Sequence, residues 1–550
     1  MEALPVPLTT SRQSADFHPT VWGDYFINYS PLQSNTSLAE QKEKNEELRA
    51  EMKTILINTT DPLKSLELID SIQRLGVAYH FEKEINDILR SVQKINIIDD
   101  DLYAVALRFR LLRQQRYNIS SDVFNRFLDD KGEFMACLCN NVKALLSLYE
   151  SAYLGFPDEE ILEKAKKFSR FHLKSLICKM EPSFALMVTS ALELPLVRTP
   201  DRLKARNYIE IYDKYKLCNQ KLLDFAKFDF NILQATYQEE LRIISEWWKE
   251  LGLLKDLPFV RDRIVESYFW MLATFCEHCY SHARVIMTKL MALAVTTDDI
   301  YDIYGTLEEL ELFTNAIESW DLERVNTLPE YMQRCFLAIY NTFKEIEDEL
   351  APEHNSFRVH YLRDELKRMA HAYLQETKWA SECYIPKLEE YVKVTFITSG
   401  CIFITCALYV GMKEFISKDI FDWVISPPEI IKSFCAIGRL MNDIGSYQNE
   451  QKRNHLASSV QCYIKEYGCS EMEACKKLKE MVEEHCMIIN KEFVSTKNIT
   501  LPLIRPILNL SRIYDFFYKD TRDIYTDSSE FMKKSIIEVL IDPIWIYRND

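Results

Sequence analysis

Two aspartates spaced four residues apart are the strongest candidates for chemistry in this chain. Asp298 and Asp302 follow a long apolar segment, and Asp299 stands between them. On a helix this spacing places both outer carboxylates on one face, about one turn apart, where a hard cation can bridge them. Mg²⁺ takes oxygen ligands and is commonly held by one or two carboxylates together with substrate phosphates. The spacing favours a magnesium site, and a solvated acidic helix end is the alternative.

A second run of oxygen-bearing side chains lies further along the chain. Asn442, Ser446 and Glu450 recur every four residues, with Asp443 beside the first, so an amide, a hydroxyl and a carboxylate share one helix face. An exposed stripe would more often pair Lys with Glu, and Asn and Ser are mediocre helix formers. The stripe alone also fits the polar edge of a core. Together with the aspartates it predicts two facing helices that clamp a diphosphate through several Mg²⁺ ions.

Three arginines lie near these two motifs in the sequence. Arg261 and Arg263 flank one aspartate at the entry to a predicted helix, and Arg439 stands three residues before Asn442. Guanidinium groups bind phosphate oxygens in a fixed fork geometry. An exposed alternation of charges is the alternative for the first two. We expect the three arginines to hold the same anion as the metal ions.

The elements that must position these residues are helices. Only 11 of the 550 residues are glycine, which leaves little material for strands and tight turns, and the periodic segments have helical spacing. The predicted helices include Ser37–Leu56, one that begins at Asp61–Pro62, Asp101–Gln115, Asp158–Cys178 and one from about His282 that ends at Gly305. The expected fold class is therefore all-α.

Two helical domains are predicted, since the chain is long and 47% apolar. A connection at residues 198–202 lies in the predicted boundary region between Leu194 and Phe230. We divide the chain into an N-terminal arm (1–20), an N-terminal helical domain (21–225) and a C-terminal domain (226–550). The last of these holds every candidate metal ligand.

The net charge and the hydropathy pattern limit which kinds of partner and which cellular location we expect. The net charge is 67 − 83 = −16, which argues against a nucleic-acid partner. Val394–Met412 is uncharged, but its hydroxyl residues and the Ser399–Gly400 pair predict a buried helix with a local break, and no membrane span. Residues 1–13 contain neither an apolar segment nor an Arg-rich presequence, so we expect a cytoplasmic protein with reduced cysteines.

Taken together, these patterns resemble those of plant terpene synthases, above all angiosperm sesquiterpene synthases, along nearly the whole chain. The matching motifs are DDxxD at 298–302, (N,D)Dxx(S,T)xxxE at 442–450 and RxR at 261–263. Weaker similarity continues in the segments 14–24, 102–103, 106–114 and 268–270. The two metal motifs at this separation are highly specific to the family.

The resemblance implies a C-terminal class I terpenoid synthase fold and a non-catalytic, α-barrel-like N-terminal domain. It implies a monomer that ionises farnesyl diphosphate with Mg²⁺, through three ions for which Mn²⁺ can substitute, and that cyclises the resulting cation. The implied metal ligands are Asp298, Asp299, Asp302, Asn442, Asp443, Ser446 and Glu450. The implied diphosphate-binding residues are Arg261, Asp298, Asp302, Arg439 and Asn442. The implied catalytic residues are Arg261, Arg263, Trp270, Arg439, Tyr518, Asp523 and Tyr525.

Departures from the family pattern qualify these expectations. Arg12 is followed by Gln13 where a second arginine is strict mainly in monoterpene cyclases, which fits a sesquiterpene enzyme. The class II motif DxDD is absent, so cyclisation started by protonation is not expected. Ile524 follows Asp523 where many relatives have glycine, which bears on closure of a lid. The alternatives are a mono- or diterpene synthase using geranyl or geranylgeranyl diphosphate, and a non-enzymatic helical scaffold.

Overall fold

Helices make up nearly all of the described structure. The computed structural model describes residues 15, 17–29, 37–94, 101–214, 218–414, 416–452 and 457–546, apart from the side chains of residues 449, 450 and 452. Within these ranges the one β-type pairing is an isolated bridge between Leu128 and Phe134. The predicted all-α class is confirmed.

Eight α-helices form the N-terminal half. They are α1 (Leu38–Asn58), α2 (Pro62–Arg74), α3 (Glu82–Lys94), α4 (Leu102–Gln114), α5 (Val142–Ala152), α6 (Glu160–Leu176), α7 (Pro182–Glu193) and α8 (Asp201–Asp213). Side chains determine where the first two begin: Ser37 and Glu40 form a reciprocal capping box on α1, and Asp61 caps α2 ahead of a proline at the first helical position. The helices predicted here from the sequence are confirmed.

Seventeen further α-helices of the described residues form the C-terminal half. They are α9 (Gln220–Leu251), α10 (Leu253–Asp256), α11 (Ile264–Leu272), α12 (Ser281–Asp299), α13 (Leu307–Ser319), α14 (Glu330–Leu350), α15 (Phe357–Ser381), α16 (Leu388–Thr398), α17 (Cys401–Gly411), α18 (Lys418–Ile425), α19 (Glu429–Lys452), α20 (Ser459–Tyr467), α21 (Glu471–Ser495), α22 (Leu501–Arg512), α23 (Tyr514–Phe517), α24 (Ile524–Asp527) and α25 (Glu530–Ile536). Two π-helical turns, Ile300–Tyr304 and Ile537–Ile541, complete this half.

Separate hydrophobic cores fill the two halves. The C-terminal helices surround one large core, which also takes in Trp22 and Phe26 from the start of the chain, and the N-terminal helices surround smaller cores. Helix α9 contributes to both, because Phe230 packs with the N-terminal helices and Leu233 with the C-terminal ones. The predicted division after residue 225 therefore falls inside a continuous helix.

The predicted connection at residues 198–202 is shorter than expected. Leu196–Arg198 forms a 3₁₀ turn, and α8 begins at Asp201, so the last two residues of the predicted loop are helical. Arg198 reaches across to the C-terminal half, where its guanidinium donates to Glu483 at 2.6 and 3.0 Å and to Asp515 at 3.2 Å. The connection thus serves as a charged contact between the halves.

The apolar stretch predicted to be a broken, buried helix has that form. By length and composition Leu388–Gly411 could cross a membrane, with a mean hydropathy of 1.8, but 67% of its most apolar window is buried inside the protein. Helix α16 ends at Thr398 and α17 begins at Cys401, because Gly400 adopts φ +70°, a left-handed conformation that suits glycine. The broken helix belongs to the core and borders a cavity described below.

Candidate active site

The acidic motif lies where α12 changes from α-helical to π-helical geometry. Asp298 and Asp299 end α12, and Asp302 lies in the π turn Ile300–Tyr304. Gly305 ends this turn as predicted: its N–H donates to the carbonyl of Ile300 at 2.9 Å, and a Cβ atom here would lie 2.6 Å from a Leu310 methyl group. The predicted helix from about His282 to Gly305 is confirmed, and its last turn is π-helical; π turns are frequent at functional sites.

Arg261 holds the acidic motif from the loop before α11. Its guanidinium lies 2.7 Å from Asp298 Oδ2 and 2.9 Å from Asp299 Oδ1, and its backbone N–H donates to Asp299 Oδ2 at 2.8 Å. Burial raises the pKa of Asp299 to about 7 against the opposing charge of Arg261. Burial also raises the pKa of Asp298, and the charge of Asp302 adds to that rise. Burial thus disfavours the charged form of these carboxyl groups, and a bound cation would favour it.

The second motif lies on α19, facing the first. Asn442 and Ser446 line the same cavity as Asp298 and Asp302, with a volume of about 100 Å³; we call it the acidic cavity. Asp443 also borders this cavity, but its side chain is buried. Its carboxylate accepts a hydrogen bond from the Ser459 N–H at 2.8 Å and pairs with Arg439. The backbone of Glu450 belongs to α19, whereas its side chain lies outside the described residues, so its predicted role stays a prediction.

The donor set of the acidic cavity fits Mg²⁺. It consists of carboxylate, amide and hydroxyl oxygens, which a hard cation prefers. Within the described ranges no three His, Cys, Asp or Glu side chains are grouped closely enough to bind a metal by themselves. Two facing helices with few carboxylates each leave coordination positions for water and phosphate oxygens, as magnesium sites commonly do.

Arg439 and Arg263 differ in what they can reach. Arg439 lines the acidic cavity and donates to the Asn442 side chain. Arg263 is only 1% exposed, and it donates to three carbonyls: those of Asp262, Thr526 and His18, each at 2.7 Å. The structure therefore places Arg263 as a clasp between the N-terminal segment and the segment after Asp523, and not on the wall of the cavity.

A cavity with aromatic walls adjoins the acidic one. This aromatic cavity of about 190 Å³ shares Arg261, Asp298, Tyr373, Arg439, Asn442 and Asp523 with it. Its other walls include the predicted aromatic residues Trp270, Tyr518 and Tyr525, the Thr398–Cys401 break, Met369 and Phe403. The polar wall of the acidic cavity and the apolar wall of the aromatic cavity thus meet at the shared residues.

The aromatic side chains of this cavity support one another. Trp270 stacks on Phe517 with ring centroids 3.9 Å apart, and it meets the Tyr525 ring edge-on at 5.6 Å. Tyr518 accepts a hydrogen bond from the Asn442 amide at 2.9 Å, which joins the aromatic wall to the second motif. Asp523 caps α24 by accepting from the backbone N–H groups of Tyr525 and Thr526. The three aromatic residues predicted from the sequence, Trp270, Tyr518 and Tyr525, therefore all border the aromatic cavity.

Other residues of the site were not predicted from the sequence. The carboxyl-bearing side chains Glu376 and Asp527 line the acidic cavity, and Phe17 covers Arg261 with its ring centroid 5.1 Å from the guanidinium carbon. Glu376 and Asp527 lie outside any spaced motif, and Phe17 lies in the segment 14–24, whose similarity to the family assigned it no role. Ile524 begins α24 and does not adopt a positive φ, so its backbone conformation does not require glycine.

Comparison with known proteins identifies the family. Residues 21–192 match the terpene synthase N-terminal domain, and residues 249–488 match the metal-binding domain of the terpene synthase family. The chain belongs to the terpene synthase family. It is 45% identical to the alpha-humulene synthase of Zingiber zerumbet over 97% of each chain. It is 42% identical to the valencene synthase of Vitis vinifera over 98% of each chain.

A solved structure of this family shares the whole architecture. Isoprene synthase from grey poplar, in complex with three Mg²⁺ ions and dimethylallyl-S-thiolodiphosphate, superposes with a TM-score of 0.88 at 36% identity. The match covers 93% of this chain and 98% of that one. This terpene synthase is thus a lyase that acts on a prenyl diphosphate, and its relatives over nearly the full length are sesquiterpene synthases. The family recognised from its motifs is confirmed.

Proposed function

We propose that this terpene synthase ionises farnesyl diphosphate, cyclises the resulting carbocation to a sesquiterpene and releases diphosphate. The observation that carries the proposal is the junction of the acidic and aromatic cavities along shared residues. A substrate with an anionic head and a long apolar tail requires a polar cavity for the head beside an apolar cavity for the tail. The likeness to sesquiterpene synthases supports the farnesyl chain length.

The acidic cavity would bind the diphosphate. Asp298 and Asp302 from one helix, and Asn442 and Ser446 from the other, would hold Mg²⁺, with Glu450 as the ligand predicted from its spacing. When bound, the ions neutralise the diphosphate and make it a better leaving group. We propose three ions by analogy with the isoprene synthase complex, which contains three Mg²⁺ ions. We also propose that Mn²⁺ can substitute for Mg²⁺.

Arginine supplies the fixed part of the positive charge. Arg261 pairs with Asp298 and Asp299 in this structure, and Arg439 lies on the opposite helix of the same cavity. Both guanidinium groups border this cavity and would donate to phosphate oxygens of the substrate. Fixed donors aimed at the departing diphosphate stabilise the charge that develops as the bond breaks. Arg263 contributes indirectly, by fixing the segment that carries Tyr525 and Thr526.

The aromatic cavity would contain the carbocation. Trp270, Tyr518 and Tyr525 present π faces, which attract positive charge. Burial raises the pKa of Tyr525 and of Tyr518 far above the ordinary value, so both remain neutral phenols at physiological pH. Closing such a cavity keeps water from the cation and prevents premature quenching. Phe17 of the N-terminal segment covers Arg261, which borders both cavities, and Arg263 ties this segment to the one that carries Thr526.

Product analysis tests the proposal. Purified protein with Mg²⁺ is incubated separately with geranyl, farnesyl and geranylgeranyl diphosphate, and hexane extracts are analysed by gas chromatography with mass spectrometry. We expect a C15 hydrocarbon or alcohol from farnesyl diphosphate that disappears with EDTA. A terpene formed only from another substrate would overturn the chain length and retain the ionisation. No product from any of the three by folded protein would refute the function.

Binding without turnover provides a second test. A ligand that binds only the native state raises the thermal unfolding midpoint. We expect Mg²⁺ plus inorganic diphosphate to raise it, and either component alone to raise it less. A helical scaffold without a diphosphate site predicts no shift at saturating concentrations. We further propose a cytoplasmic location, which imaging of the tagged protein would test.

A further inference from the structure

Tyr514 occupies a position in the aromatic cavity that no sequence motif indicated. It begins α23, is 8% exposed, and lines the aromatic cavity but not the acidic one. Its hydroxyl lies 3.4 Å from the Cys401 thiol, within hydrogen-bond distance for sulfur. Cys401 follows the helix break at Gly400 and lines the same cavity. Two polar side-chain groups thus meet on a largely apolar wall.

A notch in α19 makes room for this pair. Gly438 faces both side chains: a Cβ atom at this position would lie 2.8 Å from the Tyr514 hydroxyl oxygen and 3.0 Å from the Cys401 sulfur. Any larger residue would therefore displace the phenol or the thiol. Gly438 lies in the middle of a helix, where glycine costs stability relative to alanine. Glycine is nevertheless suited to this position, because the Tyr514 phenol packs too close to the helix for a larger side chain.

Neighbouring rings fix the orientation of Tyr514. Its ring is nearly parallel to that of Tyr518, at 12° with centroids 6.0 Å apart, and it meets Trp270 edge-on at 5.3 Å and 80°. Burial raises the pKa of Tyr514 well above the ordinary value, so the hydroxyl remains protonated. The position of the phenol is therefore set by the rings of Trp270, Phe434 and Tyr518 and by the Cys401 thiol.

We propose that Tyr514 is a specificity-determining residue: held by Cys401 in the notch at Gly438, its phenol presents a fixed oxygen dipole to the carbocation and biases which product forms. The inference rests on the proposed function. Competing products arise from a shared cation through barriers that differ little, so a small change in local electrostatics alters their ratio. Release of the phenol from Cys401 would change the direction of its dipole without changing how the diphosphate is bound.

Two substitutions test the proposal, and each removes one side of the contact. Tyr514→Phe removes only the hydroxyl, and Cys401→Ala removes only the thiol. We expect each to change the ratio of the two main products from farnesyl diphosphate by about two- to tenfold, the effect of one neutral hydrogen bond. If the wild type makes one product, a second should appear. The double variant should match Tyr514→Phe, because both changes break the same contact.

The matched control is Tyr409→Phe. Tyr409 is a buried tyrosine on α17 whose hydroxyl donates to the Leu503 carbonyl at 2.9 Å, but it does not line the aromatic cavity. Its product ratio should equal that of the wild type. The thermal shift with Mg²⁺ plus inorganic diphosphate should stay unchanged in Tyr514→Phe and Cys401→Ala, since neither residue borders the acidic cavity.

The outcomes separate the two proposals. A wild-type product ratio in either folded variant would overturn the role of Tyr514 and leave the proposed function intact. Absence of terpene from the wild type with all three prenyl diphosphates would refute the proposed function and this inference with it. If Tyr514→Phe does not fold, Cys401→Ala alone decides the question.

Discussion

Arg284→Met removes the buried cation that anchors the helix carrying Asp298. Arg284 lies in the first turn of α12 and is fully buried. Its guanidinium donates to both carboxylate oxygens of Glu240 on α9, at 2.6 and 2.9 Å, and Tyr268 donates to the same carboxylate at 2.8 Å. Without the arginine, the Glu240 side chain, which is 3% exposed, would remain as a buried anion with one hydroxyl donor.

The expected loss in the free energy of unfolding is about 3–5 kcal/mol, the usual cost of breaking one side of a buried ion pair. A Coulomb estimate has the same size, since two unit charges about 4 Å apart attract by about 4 kcal/mol at an effective dielectric constant of about 20. The double variant Arg284→Met/Glu240→Gln should regain part of the loss, because it removes the uncompensated charge.

Urea unfolding followed by tryptophan fluorescence measures this effect. The control is Arg242→Met. Arg242 lies on α9, the helix that carries Glu240, and its guanidinium pairs with Glu239 at 2.6 Å and with Glu246 at 2.7 Å on the protein surface. Exposed pairs contribute little, so this control should unfold close to the wild-type midpoint. The reasoning is refuted if Arg284→Met unfolds at the same urea concentration as Arg242→Met.

Three further predictions concern the site and the contact between the halves. Asp298→Ala should abolish most turnover and keep the fold, because it removes a metal ligand; retained product in the gas-chromatography assay would contradict that role. Gly305→Ala should lower the thermal midpoint and the turnover, because the new methyl group meets Leu310 at 2.6 Å; a wild-type midpoint would argue against this packing. Burial opposes ionisation of Glu483, but the charge of Arg198 outweighs it and lowers the Glu483 pKa to about 2. A lowered pKa stabilises the folded state above the unfolded-state pKa of about 4.3, and this contribution is lost as the pH falls towards 2. Urea unfolding should therefore show Glu483→Gln less stable than the wild type at pH 6, with a smaller gap at pH 3; an equal gap at both would contradict the assignment.

The parts of the fold that could be predicted depend on local sequence. Helix positions followed from apolar spacing and from caps such as Ser37 and Asp61, and the helix break at Gly400 followed from a residue that tolerates positive φ. The π turn after Asp299 could not be predicted, since its sequence is compatible with an ordinary α-turn. It forms where Gly305 packs against Leu310, a contact between two successive helices.

The candidate site was predictable where its residues repeat at helical spacing. Both oxygen-donor motifs are of this kind, and the structure brings Asp298, Asp302, Asn442 and Ser446 to one cavity. The orientation of Arg263 was not predictable, because its acceptors belong to segments near both ends of the chain. Tyr514 was missed for a similar reason, since its environment depends on a notch in α19 and on a cysteine after a helix break.

In the function that we propose, ionisation of farnesyl diphosphate depends on the carboxylates of the acidic cavity, which would bind Mg²⁺. The most direct measurement follows diphosphate release and C15 product in the same reaction as Mg²⁺ is varied, with wild type, Asp298→Ala and the surface control Asp348→Ala. Asp348 pairs only with Lys344 on the exposed face of α14 among the described ion pairs. We expect one diphosphate per C15 product in the wild type and the surface control, saturation with Mg²⁺ and almost no release from Asp298→Ala. Release without added metal in the presence of EDTA, or equal release from Asp298→Ala, would contradict this role of the carboxylates.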